Sequence, residues 1–356
     1  MYNETGAIVG ESGEIELMYN PTEIHSVRSY DLKTTYTEGV DYIVEGKKIK
    51  RIPTGSLPYW GLEEYYRPTQ GTIPIQIDPW SIEDEYYSQL SGYRYLHYED
   101  NNAFITSKQI AVTYRHNDIY SGEYPKEQSD KLASVLDKIK NYQDVNVVVY
   151  GDSVSVGCNA SGTSYGGNIS PHMPHAWDIV KEYIEDKYNM NFNIDIKGVG
   201  GWQIIDCVTN YETKVAGKVG GYDLMILRIG GNDSRTEEYE YTSIMEKLLN
   251  KFFDEYPDAC VIIVSPEQPN SQAYGWTGSV PYIEMYEEGF IKEYGGNVAL
   301  AKVQSFSWWT TLNGKKERDW LANNINHSND FMIRSYAQII LKTMFGNDYV
   351  NEYAPY

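Results

Sequence analysis

The chain has 356 residues, of which 41% are hydrophobic and 22% charged, so neither a disordered nor a collagen-like protein is indicated. Its 50 acidic and 30 basic residues give a formal net charge of −20 at pH 7. So acidic a surface repels nucleic-acid phosphates and anionic lipids, and no apolar stretch approaches the roughly 18 residues of a membrane span. We therefore expect neither a nucleic acid nor a membrane as a partner.

The first 125 residues have the pattern of an all-β region. Glycine, proline and asparagine separate short runs that suit strands, at Glu14–Met18, Tyr42–Val44, Ile75–Ile77, Ala103–Thr106 and Gln109–Tyr114. Such spacing without helical periodicity is typical of a β-sandwich or jelly roll. We predict an accessory β-sandwich domain over residues 1–125, which ends in a connector at 121–125.

The pattern then changes to alternating strands and helices. Leu132, Val135, Leu136 and Ile139 fall on one face of a helix, and Val145–Tyr150 is a run rich in β-branched residues. Further strands are predicted at Phe192–Ile196, Asp223–Ile229, Ala259–Val264 and Val298–Val303, and further helices at His175–Asp186, Thr242–Phe253 and Asp330–Met344. This alternation predicts an α/β domain with a mostly parallel sheet over residues 126–356.

Small and polar residues follow the predicted strands, where open parallel sheets bind their ligands. Ser153 ends a Gly-Asp-Ser run, and His327 lies in the loop that opens the last helix. A serine nucleophile needs a base such as histidine, and the oxyanion needs fixed donors. The Ser153 and Gly201 backbone amides and the Asn232 side chain could be those donors, because glycine permits close approach and an amide donates without charge.

These blocks resemble the SGNH, or GDSL-type, serine hydrolases. The family's Ser, Gly, Asn and His correspond to Ser153, Gly201, Asn232 and His327, over about residues 146–345. The resemblance implies a flavodoxin-like domain and ester hydrolysis through an acyl-Ser153 intermediate, without a metal or organic cofactor. Two-domain carbohydrate acetylesterases of this layout carry a β-sandwich before the hydrolase domain.

One position departs from the family pattern. The family commonly has aspartate three residues before the histidine, and Asn324 stands there. Asparagine can orient an imidazole but cannot stabilise an imidazolium by charge. Asn324 or a backbone carbonyl could support a Ser–His dyad, another carboxylate such as Asp319 or Asp330 could complete a triad, or activity could be weak or lost. We favour the dyad and interpret Asp330 as a helix cap.

The substrate is predicted from the family resemblance and from the aromatic residues. Tyrosine supplies 34 of the aromatic residues, and Trp202 and Trp276 could each stack on a sugar ring or pack under a loop. We predict an esterase that removes O-acetyl groups from plant polysaccharides of the xylan or mannan type. The alternatives are a lipid esterase or lysophospholipase, and a non-catalytic carbohydrate-binding protein with a degenerate hydrolase domain. The oligomeric state is left open.

Other candidate features favour ordinary roles. Cys158, Cys207 and Cys260 form no disulfide or zinc pattern, and the pair His172 and His175 has no acidic or cysteine partner nearby, so no metal site is expected.

The N-terminus has no signal-peptide pattern, which fits a cytoplasmic protein or a secreted one that has lost its signal peptide. Glycosylation sequons at Asn159, Asn232 and Asn326 fall in the predicted active-site segments, which argues against a eukaryotic secretory route.

Overall fold

The computed structural model describes residues 1–67, 76–77, 95–99, 103–123 and 126–349. Of the predicted strand Ile75–Ile77, Ile75 lies outside these ranges, and residues 76 and 77 form isolated bridges to Tyr95 and Ala273. No helix within the described ranges is long and apolar enough to cross a bilayer.

The N-terminal region is antiparallel β structure, as predicted. Its sheets have the strand orders β1-β9-β3-β4, β2-β6-β5 and β7-β8. The strands within the described part of this region are β1 (Glu4–Ala7), β2 (Glu14–Glu16), β3 (Pro21–Ser29), β4 (Thr35–Tyr36), β5 (Tyr42–Glu45), β6 (Lys48–Arg51), β7 (Tyr66–Arg67), β8 (Tyr95–Leu96) and β9 (Gln109–His116). The two larger sheets share one buried cluster, to which each contributes aliphatic side chains such as Val27 and Ile49.

The predicted strand Ala103–Thr106 is wrong, because Phe104–Ser107 forms one turn of helix. The Thr106 hydroxyl donates to the carbonyl of Ala103 and the Ser107 hydroxyl to that of Phe104. These local hydrogen bonds stabilise the turn against the strand preference of the β-branched residues Ile105 and Thr106.

The C-terminal region contains a five-stranded parallel sheet of order β11-β10-β12-β13-β14. Numbered from the first strand of this region, that order is 2-1-3-4-5, which is flavodoxin-like, so the predicted fold class is confirmed. Its strands are β10 (Val145–Gly151), β11 (Phe192–Ile196), β12 (Leu224–Arg228), β13 (Cys260–Val264) and β14 (Val298–Ala301).

Helices cover both faces of this sheet. The helices of the described residues are α1 (Leu62–Tyr65), α2 (Phe104–Ser107), α3 (Ala133–Lys140), α4 (Ala176–Tyr188), α5 (Ile204–Thr209), α6 (Tyr211–Lys214), α7 (Glu238–Glu255), α8 (Ile283–Tyr294), α9 (Val303–Leu312) and α10 (Asp330–Phe345), with 3₁₀ turns at Val280–Tyr282, Glu317–Asp319 and Gly346–Asp348. Along β10, Val147 and Val149 pack on one side with α3, α4 and α10, whereas Val148 and Tyr150 pack on the other with α5, α7 and α8. Burial on both faces explains the continuous apolar strands.

Buried polar contacts join the two regions. Lys315 Nζ lies 3.0 Å from Glu4 Oε1, with both side chains fully buried. The Asn329 side chain, at the N-cap of α10, donates to Thr5 Oγ1 and to Gln109 Oε1. The start of α10 is therefore held by the N-terminal sheet. The domain division at residue 125 stays a prediction, since residues 124 and 125 lie outside the described ranges.

Candidate active site

The chain turns sharply after β10, and this turn brings Ser153 to the carboxyl edge of the sheet. Gly151 has φ +142°, and a Cβ built there would lie 1.7 Å from the carbonyl oxygen of Arg228. Only glycine fits so close an approach of two backbones. The Asp152 carboxylate accepts the amide hydrogen of Val154 at 3.0 Å, which holds the turn around Ser153.

A chain of hydrogen bonds runs from Ser153 through His327 to Asn159. His327 Nε2 lies 2.9 Å from Ser153 Oγ, and His327 Nδ1 lies 2.7 Å from Asn159 Oδ1. The amide oxygen can only accept, so Nδ1 carries the hydrogen and Nε2 is left to accept from the Ser153 hydroxyl. This is the tautomer that a general base requires.

Asn159 is suited to its position by its backbone. Its φ is +64°, in the left-handed region that asparagine tolerates better than most residues. Its side chain is buried, as are those of Ser153 and His327. The contact to His327 spans 168 positions of sequence, so only the tertiary structure brings the two residues together.

The other residues that were predicted to orient His327 form hydrogen bonds to other groups. Asn324 donates to the carbonyl of His97 at 2.9 Å, and its side-chain oxygen lies 3.2 Å from the hydroxyl of Tyr65. Asp319 accepts from the backbone amides of Ala7 and Lys316. The prediction that Asn324, Asp319 or a backbone carbonyl orients His327 through Nδ1 is therefore wrong. The Asn159 side chain lies at that nitrogen instead.

Asp330 also bonds elsewhere. It is the first residue of α10, not its cap: the N-cap is Asn329, whose side chain accepts from the amides of Phe331 and Met332. The Asp330 carboxylate accepts the amide hydrogen of Ser161 at 3.0 Å. Asp330 therefore ties the loop that carries Asn159 to the helix that follows His327.

The predicted oxyanion donors lie on two loops that are joined to each other. The Asn232 side-chain amide donates to the carbonyl of Trp202 at 3.0 Å, and the Gln203 side chain donates to the backbone carbonyl of Asn232 at 2.8 Å. Gly201 has φ +83°, and a Cβ built there would meet nothing within 4 Å. Glycine is thus required here by the backbone conformation, and the space beside it is open to a substrate.

Asp233 supports the same pair of loops. Its carboxylate accepts the amide hydrogen of Ile204, at the start of α5, with 3.2 Å to the nearer oxygen. Burial raises the pKa of Asp233 to about 7, against the hydrogen bonds from Ile204 and Thr236. This carboxylate fixes the loop geometry around Asn232. Because the buried group ionises less readily than in water, its contribution to the free energy of unfolding depends on pH.

A buried ion cluster, formed by Asp152, Arg228 and Glu267, lies under the turn. The Arg228 guanidinium bonds the Asp152 carboxylate through Nη1 and Glu267 Oε2 through Nη2, the latter at 2.6 Å. The Tyr336 hydroxyl also bonds Glu267. All of these side chains are buried. Such charges are tolerated away from water only because each is paired.

The sequence-predicted aromatic residues have mixed environments. Trp202 is half-buried, edge-on to Tyr150 at 5.7 Å between ring centroids, with Lys214 Nζ 5.9 Å from its ring centre. Trp276 is half-buried against the cluster that contains Trp60 and Tyr66. Substrate stacking by either tryptophan stays a prediction.

Of the histidines and cysteines for which no metal site is expected, one is exposed and the others are buried. His172 is exposed and bonds the side chain of Asn168, whereas His175 is buried, with neither ring nitrogen hydrogen-bonded. Burial lowers the pKa of His175 to about 3. Cys158, Cys207 and Cys260 are buried, and none of the three is in a disulfide. Among the described residues, no group of three or more histidine, cysteine or acidic side chains is placed to hold a metal ion.

Sequence reasoning missed two parts of the site. Asn159 was recognised only as a sequon, and nothing local in the sequence separates it from other loop asparagines. Arg228 carried a usable signal, because an arginine that ends the apolar strand Leu224–Arg228 inside a two-sided sheet must find acidic partners. Glu267 follows the neighbouring strand and is one of those partners.

The fold and the placement of Ser153, Gly201, Asn232 and His327 define an α/β layout like that of the SGNH hydrolases. The chain matches no protein-family model and no curated protein. Among solved structures it is similar to a two-domain esterase active on acetylated mannans, with 18% identity and a TM-score of 0.49 over 66% of this chain and 58% of that one. The match therefore spans less than two thirds of that esterase.

Two further similar structures are matched over almost their whole length. An acetylxylan esterase from Geobacillus stearothermophilus shows 15% identity and a TM-score of 0.45 over 58% of this chain and 97% of its own. A lipolytic protein of the G-D-S-L family from Veillonella parvula shows 17% identity and a TM-score of 0.39 over 56% and 97%.

Proposed function

We propose that this protein is a serine ester hydrolase that removes O-acetyl groups from carbohydrates. The observation that carries the proposal is the hydrogen-bonded chain Ser153–His327–Asn159, with 2.9 Å between Ser153 Oγ and His327 Nε2. A hydroxyl paired with a correctly oriented imidazole at the carboxyl edge of a parallel sheet is an arrangement for nucleophilic acyl transfer.

The reaction proceeds in two halves. His327 Nε2 takes the proton of Ser153 as Oγ bonds to the acetyl carbon, and the oxyanion is stabilised by the Ser153 and Gly201 amides and the Asn232 side chain. Collapse of the intermediate breaks the carbon–oxygen bond to the sugar, whose oxygen takes the proton from His327. Water then attacks the acetyl-serine with His327 as base, and acetate and Ser153 are released.

The hydrogen bonds around Asn232 prepare the oxyanion site before substrate arrives. An amide nitrogen carries two hydrogens, so Asn232 can keep its bond to the Trp202 carbonyl and donate its second hydrogen to the oxyanion. Because the two loops are already fixed to each other, little reorganisation is needed when charge develops.

The proposed substrate class is based on the net charge of the protein and on an aromatic residue beside the oxyanion site. A net charge of −20 disfavours phosphorylated or anionic substrates and suits a neutral acetylated sugar. Trp202 adjoins the oxyanion residue Gly201, where an aromatic face could contact a sugar ring. Xylan and mannan fragments are the proposed substrates within this class, and a plant-polysaccharide role is part of the proposal.

Acetate release tests the proposal. Wild type and Ser153→Ala are incubated with acetylated xylan and acetylated mannan, and with acetyl and long-chain nitrophenyl esters. We expect Ser153-dependent acetate release and a preference for the acetyl ester. Equal release by both proteins would favour the non-catalytic carbohydrate-binding alternative, and a preference for long chains would favour the lipid esterase.

A further inference from the structure

The segment that carries His327 is closed on itself by backbone hydrogen bonds. In this segment, residues 318–329, which we call the base loop, the amide of Ala322 donates to the carbonyl of His327 at 2.7 Å. The amide of Asn329 donates to the carbonyl of Trp320 at 2.8 Å. These bonds give the loop its shape, but they do not fix its position relative to the nucleophile. That position depends on contacts to other parts of the chain.

One side chain of the N-terminal region bonds both ends of the base loop. Gln109, the first residue of β9, is fully buried. Its Nε2 donates to the backbone carbonyls of Arg318 at 2.9 Å and Leu321 at 2.8 Å, and its Oε1 accepts from the Asn329 side chain at 2.9 Å. An amide nitrogen carries two hydrogens, so Gln109 uses its full donor capacity on this loop. The two ends of the base loop are therefore held together by a residue at least 209 positions away in sequence.

Two further residues of the N-terminal region support the same loop. The hydroxyl of Thr5, on β1, donates to the carbonyl of Asp319 at 2.6 Å and accepts from the Asn329 side chain at 2.9 Å, so it also bridges the two ends. In the middle of the loop, the Asn324 side chain donates to the carbonyl of His97 at 2.9 Å. All five of these residues are buried. Because a buried polar group that loses its partner costs free energy, these bonds oppose a shift of the base loop.

The C-terminal region contacts the base loop as well. The Ser328 hydroxyl donates to Glu267 at 2.7 Å, and the amide of Asn270 donates to the carbonyl of Ile325 at 2.8 Å. Glu267 and Asn270 follow β13, whereas Ser153 follows β10, and β12 lies between these two strands in the sheet. Contacts to the segment after β13 alone would allow the loop to shift toward or away from Ser153. The contacts from the N-terminal region oppose this shift.

We propose that the N-terminal region is a positioning part of the active site, in which Gln109 holds the ends of the base loop and so sets the 2.9 Å distance between His327 Nε2 and Ser153 Oγ. The inference rests on the proposed function. Gln109 and Thr5 are positioning residues that act through His327, and a displacement of about 1 Å in such a site can lower a rate about 100-fold. The N-terminal region is then needed for turnover of any acetyl ester, including one without a sugar.

The first test compares Gln109→Met with Gln304→Met in the hydrolysis of nitrophenyl acetate, a substrate without a sugar. Methionine is similar to glutamine in length but has no amide to form these hydrogen bonds. Gln304 is a matched control, because it is also buried, donates to two backbone carbonyls and accepts one amide hydrogen. Its partners are Pro266, Val280 and Glu284, which lie outside the base loop. We expect kcat to fall about 10- to 100-fold at unchanged KM in Gln109→Met, and to keep its wild-type value in Gln304→Met.

A double-mutant cycle with His327→Ala separates positioning of the base from other effects. If Gln109 acts through His327, adding Gln109→Met to His327→Ala should change the remaining kcat less than about twofold. The same loss with and without His327, or an equal loss in Gln304→Met, would overturn the proposal. So would an effect confined to KM for acetylated xylan, because it would indicate that the N-terminal region binds the sugar and does not position the base.

Thr5→Val is the milder second variant, since valine keeps the shape of threonine and removes one hydroxyl. We expect a several-fold loss of kcat at unchanged KM. Its control is Thr310→Val, because the buried Thr310 hydroxyl donates to the carbonyl of Ser307 within α9. A wild-type kcat in a folded Gln109→Met, or in Thr5→Val when Gln109→Met does not fold, would refute the inference. A wild type with no Ser153-dependent activity would instead refute the proposed function, and this inference with it.

Discussion

Replacing Asn159 tests the atypical support of the base most directly. Asn159→Ala removes the oxygen that lies 2.7 Å from His327 Nδ1, and Asn159→Asp replaces a neutral acceptor there by a carboxylate. Both changes act on the ring nitrogen that faces away from Ser153. The two variants separate the orienting role of this residue from a role of charge.

The expected magnitudes follow from the geometry. Leaving a buried donor without its acceptor costs about 1–3 kcal/mol, so Asn159→Ala should lower kcat about 5- to 150-fold. In Asn159→Asp, unit charges about 4 Å apart attract by about 4 kcal/mol at an effective dielectric constant of about 20, and burial of the carboxylate takes back part of this. We expect the acid limb of the pH–rate profile to move about 1–3 pH units higher.

The assay is acetyl-ester hydrolysis between pH 5 and 10, with Asn168→Ala and Asn168→Asp as controls. Asn168 also has a positive φ, of 48°, and also bonds a histidine, because its Oδ1 lies 3.1 Å from His172 Nδ1. That pair is exposed, so its variants share the backbone strain and should keep wild-type kinetics. Full activity in Asn159→Ala would refute the orienting role. An acid limb that Asn159→Asp leaves in place would refute the expected attraction between a carboxylate at this position and the His327 imidazolium.

Three further predictions concern stability and the loop of the base. Burial lowers the pKa of His175 to about 3. Because the unfolded chain binds a proton that the folded chain excludes, the unfolding free energy of wild type should fall by roughly 2 kcal/mol from pH 6.5 to 4.5. Urea unfolding of His175→Leu should lack that loss, and parallel pH curves would disprove it. For Asp233, whose pKa is raised to about 7, the sign is opposite: up to roughly 3 kcal/mol of unfolding free energy is lost as pH rises from 4 to 7. Asp233→Asn should flatten this slope, and an unchanged slope would contradict the prediction. Asn324→Ala removes the bonds to His97 and Tyr65 and should cost about 2 kcal/mol of stability while retaining far more kcat than His327→Ala; equal kinetic losses would show that Asn324 acts on the base itself.

The fold of the C-terminal region could be predicted because its signals are local. Strand Phe192–Ile196 has the predicted bounds, and the other predicted strands of the sheet differ by one or two residues at an end. A fully apolar run indicates a strand that is buried on both faces of a sheet. A 3.6-residue periodicity indicates a helix that is buried on one face. The N-terminal strand Pro21–Ser29 escaped prediction, because Val27 is its only buried residue and no alternation marks it.

The sequence by itself determined the class of fold, the strand ends at which chemistry is expected, and the order of Ser153, Gly201, Asn232 and His327. These depend on turn residues and periodicity, which neighbouring positions encode. Only the tertiary structure decided which side chain meets His327 Nδ1 and which acids pair with Arg228. Asn159, Asp152 and Glu267 come to those places from separate loops, and such meetings depend on how the sheet, the helices and the N-terminal region pack together.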